Sequence, residues 1–344
     1  MLCLAAARPA RAQDSSSVRS APPEIHGFIE LYYRAGDPLN RDGYRLRKAD
    51  LKFSGLVSPH LRWRIGFDAA KVLSLNTTAS ELGDSLALSA AVVDQKSRIV
   101  QDAALTYVFN PRFNVDIGQQ VLPLSLEGTI PTSQVETIER TMFIVDKSRA
   151  IGLGDVRDVG VSANGLAANG VVEYHGGLFN ETGESQGTTD PNNQKTLMGR
   201  VVLHPSFLPG FQIGSSGGFQ GGPTPVRRER LGGELQYRTS IYTFRAEAMG
   251  ARDAELRRFG WYTLGTVRPT HDLQLVARYD FWDKDLSREL SINDAAERQI
   301  VAGGSYLLEG GIARLVANVV RQDFPNVNNV RNATFLLVGF ESSF

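Results

Sequence analysis

The chain has 344 residues, a length that allows one large domain or two of ordinary size. Its 37 basic residues balance 37 acidic residues, which argues against a nucleic-acid-binding protein that depends on excess positive charge. No stretch approaches the roughly 20 apolar residues of a membrane-spanning helix, and the only cysteine, Cys3, excludes a disulfide framework or a cysteine-based metal site downstream.

The amino-terminal segment has the features of an export signal. An apolar run over residues 2–7 precedes Ala-Arg-Ala at 10–12, which has the small-x-small form of a signal-peptidase site. The run is short, so we expect residues 1–12 to be a signal peptide whose start lies upstream; an ordinary unstructured terminus is the alternative. Residues 13–23 are rich in Ser and Pro and predict a disordered lead-in, after which the fold begins at Glu24.

Beyond this lead-in, apolar and polar residues alternate with a period of two, which is typical of β-strands. In the segment 231–238, Leu235 and Tyr237 fall on one face, whereas Glu234 and Gln236 fall on the other. The strands of a soluble sandwich alternate in the same way, because one face of each sheet meets solvent. Periodicity alone therefore leaves a soluble all-β protein and a membrane barrel open.

Strand length and spacing favour a transmembrane barrel. Most predicted strands exceed the roughly 5–6 residues typical of soluble strands and match the ~9–11 that a tilted strand needs to cross a bilayer. Very short turns alternate with mostly longer polar loops, as in outer-membrane barrels. We therefore predict an all-β fold, a transmembrane antiparallel β-barrel of about 16 strands, over residues 24–344 in the bacterial outer membrane. The predicted strands are 24–35, 44–56, 60–71, 98–109, 112–122, 154–165, 169–179, 195–204, 211–222, 228–238, 241–252, 256–268, 272–283, 295–308, 311–324 and 331–344.

Several stretches resemble a known family of outer-membrane proteins. The last predicted strand ends at Phe344, which resembles the sorting signal of bacterial outer-membrane proteins. Residues 44–55, 102–107, 113–127 and 157–160, with Glu139-Arg140 between the last two, resemble the phosphate-selective porin O and P family. The resemblance implies a homotrimeric porin that passes small hydrophilic solutes passively and needs no cofactor.

By the same resemblance, the longest non-strand segment, residues 123–153, folds into the lumen and forms a constriction. A physical reason supports this, because a sixteen-stranded barrel leaves a channel too wide to select among small solutes. Basic side chains at the narrow point would attract anions, since low-dielectric walls focus the field. The candidate anion contacts are Arg140, Lys147 and Arg149 on the loop, Arg157 just after it, and Lys48, Lys52, Arg62 and Arg64 on the wall. Strict alternation places Arg45 and Arg47 on the other face of their strand.

The loop departs from the pattern of phosphate-binding members of the family. Those members tend to place Lys and Ser between their Leu-Glu and Glu-Arg motifs, whereas this chain has Gly128, Pro131, Thr132 and Ser133 there. Arg140 does match the Glu-Arg motif. We therefore expect a general or mildly anion-preferring porin, whose partners are small anionic or neutral hydrophilic solutes and the lipid of the outer membrane. Three acids on the loop would offset part of the positive field: Glu127, Glu136 and Glu139.

Two other classes of protein stay open at this point. A barrel enzyme would need a Ser or Asp near a His at the rim, and the nearest approaches are Ser58 with His60 and Asp272 with His271. A soluble secreted binding protein would bury aromatic residues such as Trp261, which here suit the interfacial girdles of a barrel. The five histidines show no pair at ligand spacing, so we expect no metal site. No HExxH, P-loop or GxSxG motif occurs, and the net charge is zero, so we expect no enzyme activity and no bound nucleic acid.

Overall fold

The computed structural model describes residues 22–37, 42–71, 99–145, 157–180, 195–220, 228–287, 295–325 and 332–344, together with the backbone of 74–82 and 85–94. Sixteen antiparallel strands close into a barrel, which confirms the predicted fold class. The first six strands along the chain are β1 (Glu24–Ala35), β2 (Gly43–Leu56), β3 (Leu61–Asp68), β4 (Ser74–Leu82), β5 (Ser85–Asp94) and β6 (Val100–Asn110). They are followed by β7 (Phe113–Val121), β8 (Arg157–Ala167), β9 (Val172–Phe179), β10 (Thr196–Leu203), β11 (Phe211–Gln220) and β12 (Arg228–Arg238). The last six are β13 (Tyr242–Asp253), β14 (Leu256–Val267), β15 (Leu273–Asp283), β16 (Glu297–Leu308), β17 (Ala313–Asp323) and β18 (Ala333–Ser343).

The helical segments are short. Two α-helical turns, α1 (Leu126–Thr129) and α2 (Met142–Val145), lie between β7 and β8, with a 3-10 turn at Thr132–Gln134 between them. Further 3-10 turns are Ala69–Lys71, Ala168–Gly170 and Glu309–Gly311. Within the part of the chain that the structure describes, none of the helices is long and apolar enough to cross a membrane.

Neighbouring barrel strands follow the order of the chain, and the sheet closes where β1 pairs with β18. Phe28 lies opposite Ser343 and Ala35 lies opposite Leu336, so the two strands pair over most of their length. At the end of the chain, the Gly27 N–H donates to the Phe344 carbonyl oxygen at 2.8 Å and the Phe344 N–H donates to the Gly27 carbonyl oxygen at 3.0 Å. This pairing removes the free sheet edges, which would otherwise carry unpaired backbone groups.

One pair of strands was not predicted. The strands β4 and β5 pair with each other in a separate two-stranded sheet, within the segment that the sequence assigned to a loop over residues 72–97. Their sequence consists largely of Ser, Thr, Ala and Leu. Because small residues give little contrast between two faces, alternation was too weak there to indicate strands.

The two faces of the barrel have opposite character. On the outer face, Leu231 is 71% exposed, and Phe244 and Tyr242 are also exposed, whereas the inward-facing Arg245 is 0% exposed. A water-soluble protein would reverse this arrangement by burying its large apolar residues. The exposed apolar face therefore fits contact with lipid, and it argues against the soluble binding protein that the sequence left open.

A β-bulge changes the predicted facing of one arginine. The register pairs Glu30 with Lys48 but Leu31 with Leu46, so Arg47 is an extra residue in β2. Its Nη1 donates to Glu30 Oε1 at 2.7 Å. The expectation that Arg47 faces away from the lumen is therefore wrong, because a bulge breaks the strict alternation on which it rested. The same shift pairs Arg45 with Tyr32, a buried residue of the lumen face. Paired residues share a face of the sheet, so the expectation that Arg45 faces away from the lumen is also wrong.

The close approach of β6 and β7 requires glycine at position 118. Gly118 has φ +126°, and a Cβ there would lie 2.2 Å from the Ala103 carbonyl oxygen. We expect Gly118→Ala to lower the free energy of unfolding by about 1–3 kcal/mol, measured by urea denaturation of the refolded barrel. Gly265→Ala is the matched control, because its Cβ would meet nothing within 4 Å, and its effect should stay within about 0.5 kcal/mol. Equal effects of the two substitutions would contradict this account of Gly118.

Candidate functional site

Residues 122–145 of the segment between β7 and β8 fold into the barrel. We call these residues the inner loop; residues 146–156 lie outside the described residues. Leu124, Ile138 and Ile144 are almost completely buried, although they belong to a connection between strands. The Ser125 hydroxyl accepts from the Gly128 N–H at 3.0 Å and so caps α1. The described part of the loop that the resemblance placed in the lumen, residues 123–145, does lie there.

An apolar contact fixes the second half of the inner loop to the wall. Phe143 packs against Tyr262 on β14 and Trp282 on β15, with ring centroids 6.1 and 6.4 Å apart. Gly260 makes this contact possible, because a Cβ there would lie 2.7 Å from the Cβ of Phe143. The cluster also includes Leu124, Met142, Ile144, Met249, Ala251, Leu264 and Val276. The loop is therefore packed against the wall like a small core.

Wall side chains also satisfy buried backbone groups of the inner loop. Glu247 on β13 accepts from the N–H groups of Leu126 at 2.9 Å and Glu127 at 3.2 Å. Asn318 Oδ1 on β17 accepts from the Ile138 N–H at 2.8 Å. These contacts matter because a buried backbone donor without a partner costs free energy comparable to a lost hydrogen bond.

Arginines on the wall bind the carbonyl oxygens of the inner loop. Arg314 Nη2 on β17 donates to the Val135 carbonyl oxygen at 2.6 Å. Arg278 Nη1 on β15 donates to the Glu139 carbonyl oxygen and to the Thr137 hydroxyl, both at 2.6 Å. These wall residues were missed by the sequence analysis. Alternation places them on the lumen face, but no pattern in the sequence separates them from other inward polar residues.

Two of the three acids predicted on the loop anchor it to the wall, and the third bonds within the loop. Glu136 forms an ion pair with the buried Arg245 on β13, with Oε2 3.1 Å from Nη1 and Oε1 3.0 Å from Nη2. Glu139 pairs with Arg34 on β1. Glu127 Oε1 accepts from the Thr141 N–H at 2.9 Å, within the loop itself. Partners thus compensate the negative charge that Glu136 and Glu139 bring into the lumen.

Arg140 lies inside the inner loop and not along an open path. It is 4% exposed. Its Nη1 donates to the Glu127 carbonyl oxygen, and its Nη2 donates to the Ile130 carbonyl oxygen at 2.6 Å. These oxygens lie at the carboxyl end of α1, where a cation is favoured. The expectation that this guanidinium contacts passing anions does not fit its burial.

The predicted wall cations lie on strands β2, β3 and β8. Lys48 Nζ is 3.1 Å from Asp68 Oδ2, and Arg157 Nε is 3.3 Å from Asp102 Oδ1. Among the described residues, Lys52 has no ion-pair partner within 4.0 Å, and its Cα partners are His26 on β1 and Gly66 on β3. Two other predicted contacts, Lys147 and Arg149, lie outside the described residues.

Arg64 is the most accessible of the three predicted wall cations that have an ion-pair partner among the described residues. Its Nη1 is 3.2 Å from Asp116 Oδ1, and the side chain is 38% exposed, against 7% for that of Asp116. Arg62, two residues earlier, is exposed. A cavity of about 840 Å³ is lined by Arg62, Arg64, Asp116, Asn114 and Asn164. Strands β2 and β3 thus present cations to the lumen, whereas their acidic partners are more deeply buried.

The polar pairs that an enzyme would have needed belong to turns. The Ser58 hydroxyl accepts from the Leu61 N–H at 3.1 Å, and His60 Nδ1 lies 3.1 Å from the Val108 carbonyl oxygen. The Asp272 carbonyl oxygen accepts from the Leu307 N–H at 2.7 Å. Within the described part of the chain, no group of three or more His, Cys, Asp or Glu residues is arranged to hold a metal ion.

Solved structures of bacterial outer-membrane channels share this fold. The outer membrane channel DcaP of Acinetobacter baumannii is 13% identical, with a TM-score of 0.61 over 95% of this chain and 99% of its own. OmpT of Vibrio cholerae is 11% identical, with a TM-score of 0.60 over 94% of this chain and 97% of its own. OmpF of Salmonella typhi, in a complex with daunomycin, is 9% identical, with a TM-score of 0.59 over 94% and 97%. At these identities the likeness establishes the fold alone.

Comparison of sequences establishes the family. No curated protein sequence matches this chain. The family model of the phosphate-selective porins O and P matches residues 24–217, more than half of the chain. The match begins at the first residue of β1 and includes the whole inner loop. The closed barrel, its apolar outer face and this match together show that the chain belongs to the phosphate-selective porin O and P family of bacterial outer-membrane channels.

Proposed function

We propose that the barrel lets small hydrophilic solutes diffuse passively across the outer membrane, with a mild preference for anions. The accessible cations of β2 and β3 carry this proposal. Among the described residues, the inner loop contacts Arg34 of β1, Arg47 of β2, whose Nη1 donates to the Ile138 carbonyl oxygen, and side chains of strands β11 to β18. The described lumen wall from β3 to β8 is therefore the side available to solutes. Arg64 of β3 lies on that side. Lys52 lies on the neighbouring strand β2, opposite Gly66 of β3.

The preference is mild because most cations of the lumen already have partners. Arg200 pairs with Glu234, Arg230 and Arg258 pair with Asp253, and Arg278 pairs with Asp280. The carboxylate of each pair offsets most of the attraction between its guanidinium and a passing phosphate. Rapid passage also requires that each contact be weak enough to release the ion. These pairs support a general anion preference over a high-affinity phosphate site.

The assembly and processing of the chain belong to the same proposal. We propose a homotrimer, since one solved structure of OmpT of Vibrio cholerae, which shares this fold, is described as a trimer form. We also propose that residues 1–12 are removed on export and that 13–23 lead into the barrel, which begins at Glu24. Passive diffusion needs no cofactor and no catalytic group.

Deletion of residues 128–138 should widen the channel. It removes the Glu136 and Ile138 anchors and much of the chain that fills the lumen. We expect the single-channel conductance to rise about twofold or more, because the water-filled cross-section grows. Asn318→Ala tests the same point with the whole loop present, and it should raise the conductance less. Unchanged conductance in both folded variants would show that the inner loop does not limit flow.

Arg140→Ala should loosen the inner loop. The substitution leaves two carbonyl oxygens of the loop without their charged donor, a loss of about 1–3 kcal/mol for each buried group. We expect single-channel recordings to show several conductance levels in place of one, with little change in ion selectivity. Arg112→Ala, at an exposed turn, is the control. A large change in selectivity with steady conductance would instead place Arg140 on the solute path.

Lys52→Gln should reduce the anion preference. Removing one accessible positive charge from a narrow aqueous path is expected to lower the anion-to-cation permeability ratio by about twofold. Reversal potentials in asymmetric KCl measure this ratio. The control is Arg298→Gln, which removes the same charge from an exposed position opposite Phe281 on β15. Equal shifts of the ratio in the two variants would show that the anion preference does not depend on the position of Lys52 in the lumen.

A further inference from the structure

The outer surface of the barrel has a hollow at β9 to β14. Its volume is about 1410 Å³. A lateral row of Cα partners runs through it from Gly176 on β9 to Gly199, Gly217, Leu231 and Gly250 on the next four strands. The row ends at Phe259 on β14. Four of its six positions have no side chain, so the surface is lower there than on either side.

Large apolar side chains border the hollow. Leu197, Phe219, Leu231 and Phe259 line it, and all four are exposed on the outer face. Gly250, between Leu231 and Phe259 in register, has open space around the position of a Cβ. The hollow is therefore an apolar trough on the surface that faces lipid.

A second row of Cα partners borders the trough two residues further along each strand. It runs from Leu197 and Phe219 to Glu229, then to Arg252 on β13 and Arg257 on β14. This row lies beside the β13–β14 turn, at the same end of the barrel as the connection that carries the inner loop. In barrels of this kind the longer connections are extracellular, so the charged row lies at the level of the outer leaflet.

The two arginines are like charges on neighbouring strands. Arg252 and Arg257 lie directly opposite each other, an arrangement that is destabilising for like charges. Arg252 Nε donates to the Ala254 carbonyl oxygen at 2.9 Å, and the exposed Arg257 has no ion-pair partner within 4.0 Å among the described residues. The acidic neighbours are Glu229, opposite Arg252 on β12, and the exposed Glu255 in the β13–β14 turn. An anion between the two guanidinium groups would remove the repulsion, and their planar fork suits phosphate.

We propose that this hollow binds a lipid of the outer leaflet whose phosphate head group carries a net negative charge. One acyl chain lies along the glycine row, and the phosphate is held by Arg252 and Arg257. The charge and the shape agree, because the cations lie at the headgroup level beside one end of the trough. Since barrel strands are tilted by about 35–45°, a row of partners across them slopes through the hydrocarbon region. A second copy of the chain fits less well, since packing against this row would bury the arginine pair away from water.

Head-group binding can be tested by native mass spectrometry of the barrel with two lipids of identical acyl chains, phosphatidic acid and phosphatidylcholine. We expect the barrel to retain phosphatidic acid preferentially. The double variant Arg252→Gln/Arg257→Gln should weaken that retention about tenfold or more, because both charge-assisted contacts with the phosphate are lost. The double variant Arg298→Gln/Arg321→Gln, at exposed positions of β16 and β17 outside the hollow, should leave it unchanged. Equal loss in both double variants would overturn the proposal.

Acyl-chain binding can be tested by filling the trough. Gly250→Leu places a side chain in the open space of the hollow and should weaken phosphatidic acid retention about as much. Gly265→Leu, which also has open space but lies outside the hollow, should have no effect. Displacement of the lipid by millimolar inorganic phosphate would indicate a free-anion site and overturn the lipid assignment. Dissociation of an oligomer by Gly250→Leu, with unchanged lipid retention, would assign the hollow to a second copy instead.

Discussion

Closure of the sheet between β1 and β18 is the interaction on which the rest of this structure depends. Hydrocarbon offers no hydrogen-bond partners, so every backbone group inside the membrane must find one within the protein. The pairing from Phe28–Ser343 to Ala35–Leu336, together with the bonds between Gly27 and Phe344, completes the ring. Only a closed ring gives the strands an outer face for lipid and an inner face for polar groups.

The inner face then determines what can occupy the lumen. A connecting segment can be buried there because the wall supplies partners for its backbone: Glu247 and Asn318 for N–H groups, and Arg278 and Arg314 for carbonyl oxygens. Many inward charged side chains are thus bonded to the inner loop, which reduces their interaction with solutes. We propose that the accessible cations of β2 and β3 determine the selectivity, with a mild preference for anions as the result.

The same alternation produces the outer surface, where side-chain size has a separate effect. Large apolar residues make most of that surface continuous, but glycine at the outward positions of β9, β10, β11 and β13 lowers it into a trough. The charged residues beside the trough, Arg252 and Arg257, lie near the β13–β14 turn, where the strands leave the hydrocarbon region of the membrane. Lumen and outer surface can therefore carry different binding properties, because successive residues of each strand face opposite sides.

Length and alternation in the sequence determined the barrel, since a strand with lipid on one side and water on the other must repeat with period two. The sixteen strands were predicted for this physical reason. Tertiary structure alone decided the details that depend on distant partners. The bulge turned Arg47 into the lumen, β4 and β5 paired where the residues are small, and Arg140 folded onto the carbonyl oxygens of α1. A pattern of residue types shows which face a side chain occupies, but which atoms lie within its reach follows only from the packing of segments far apart in the chain.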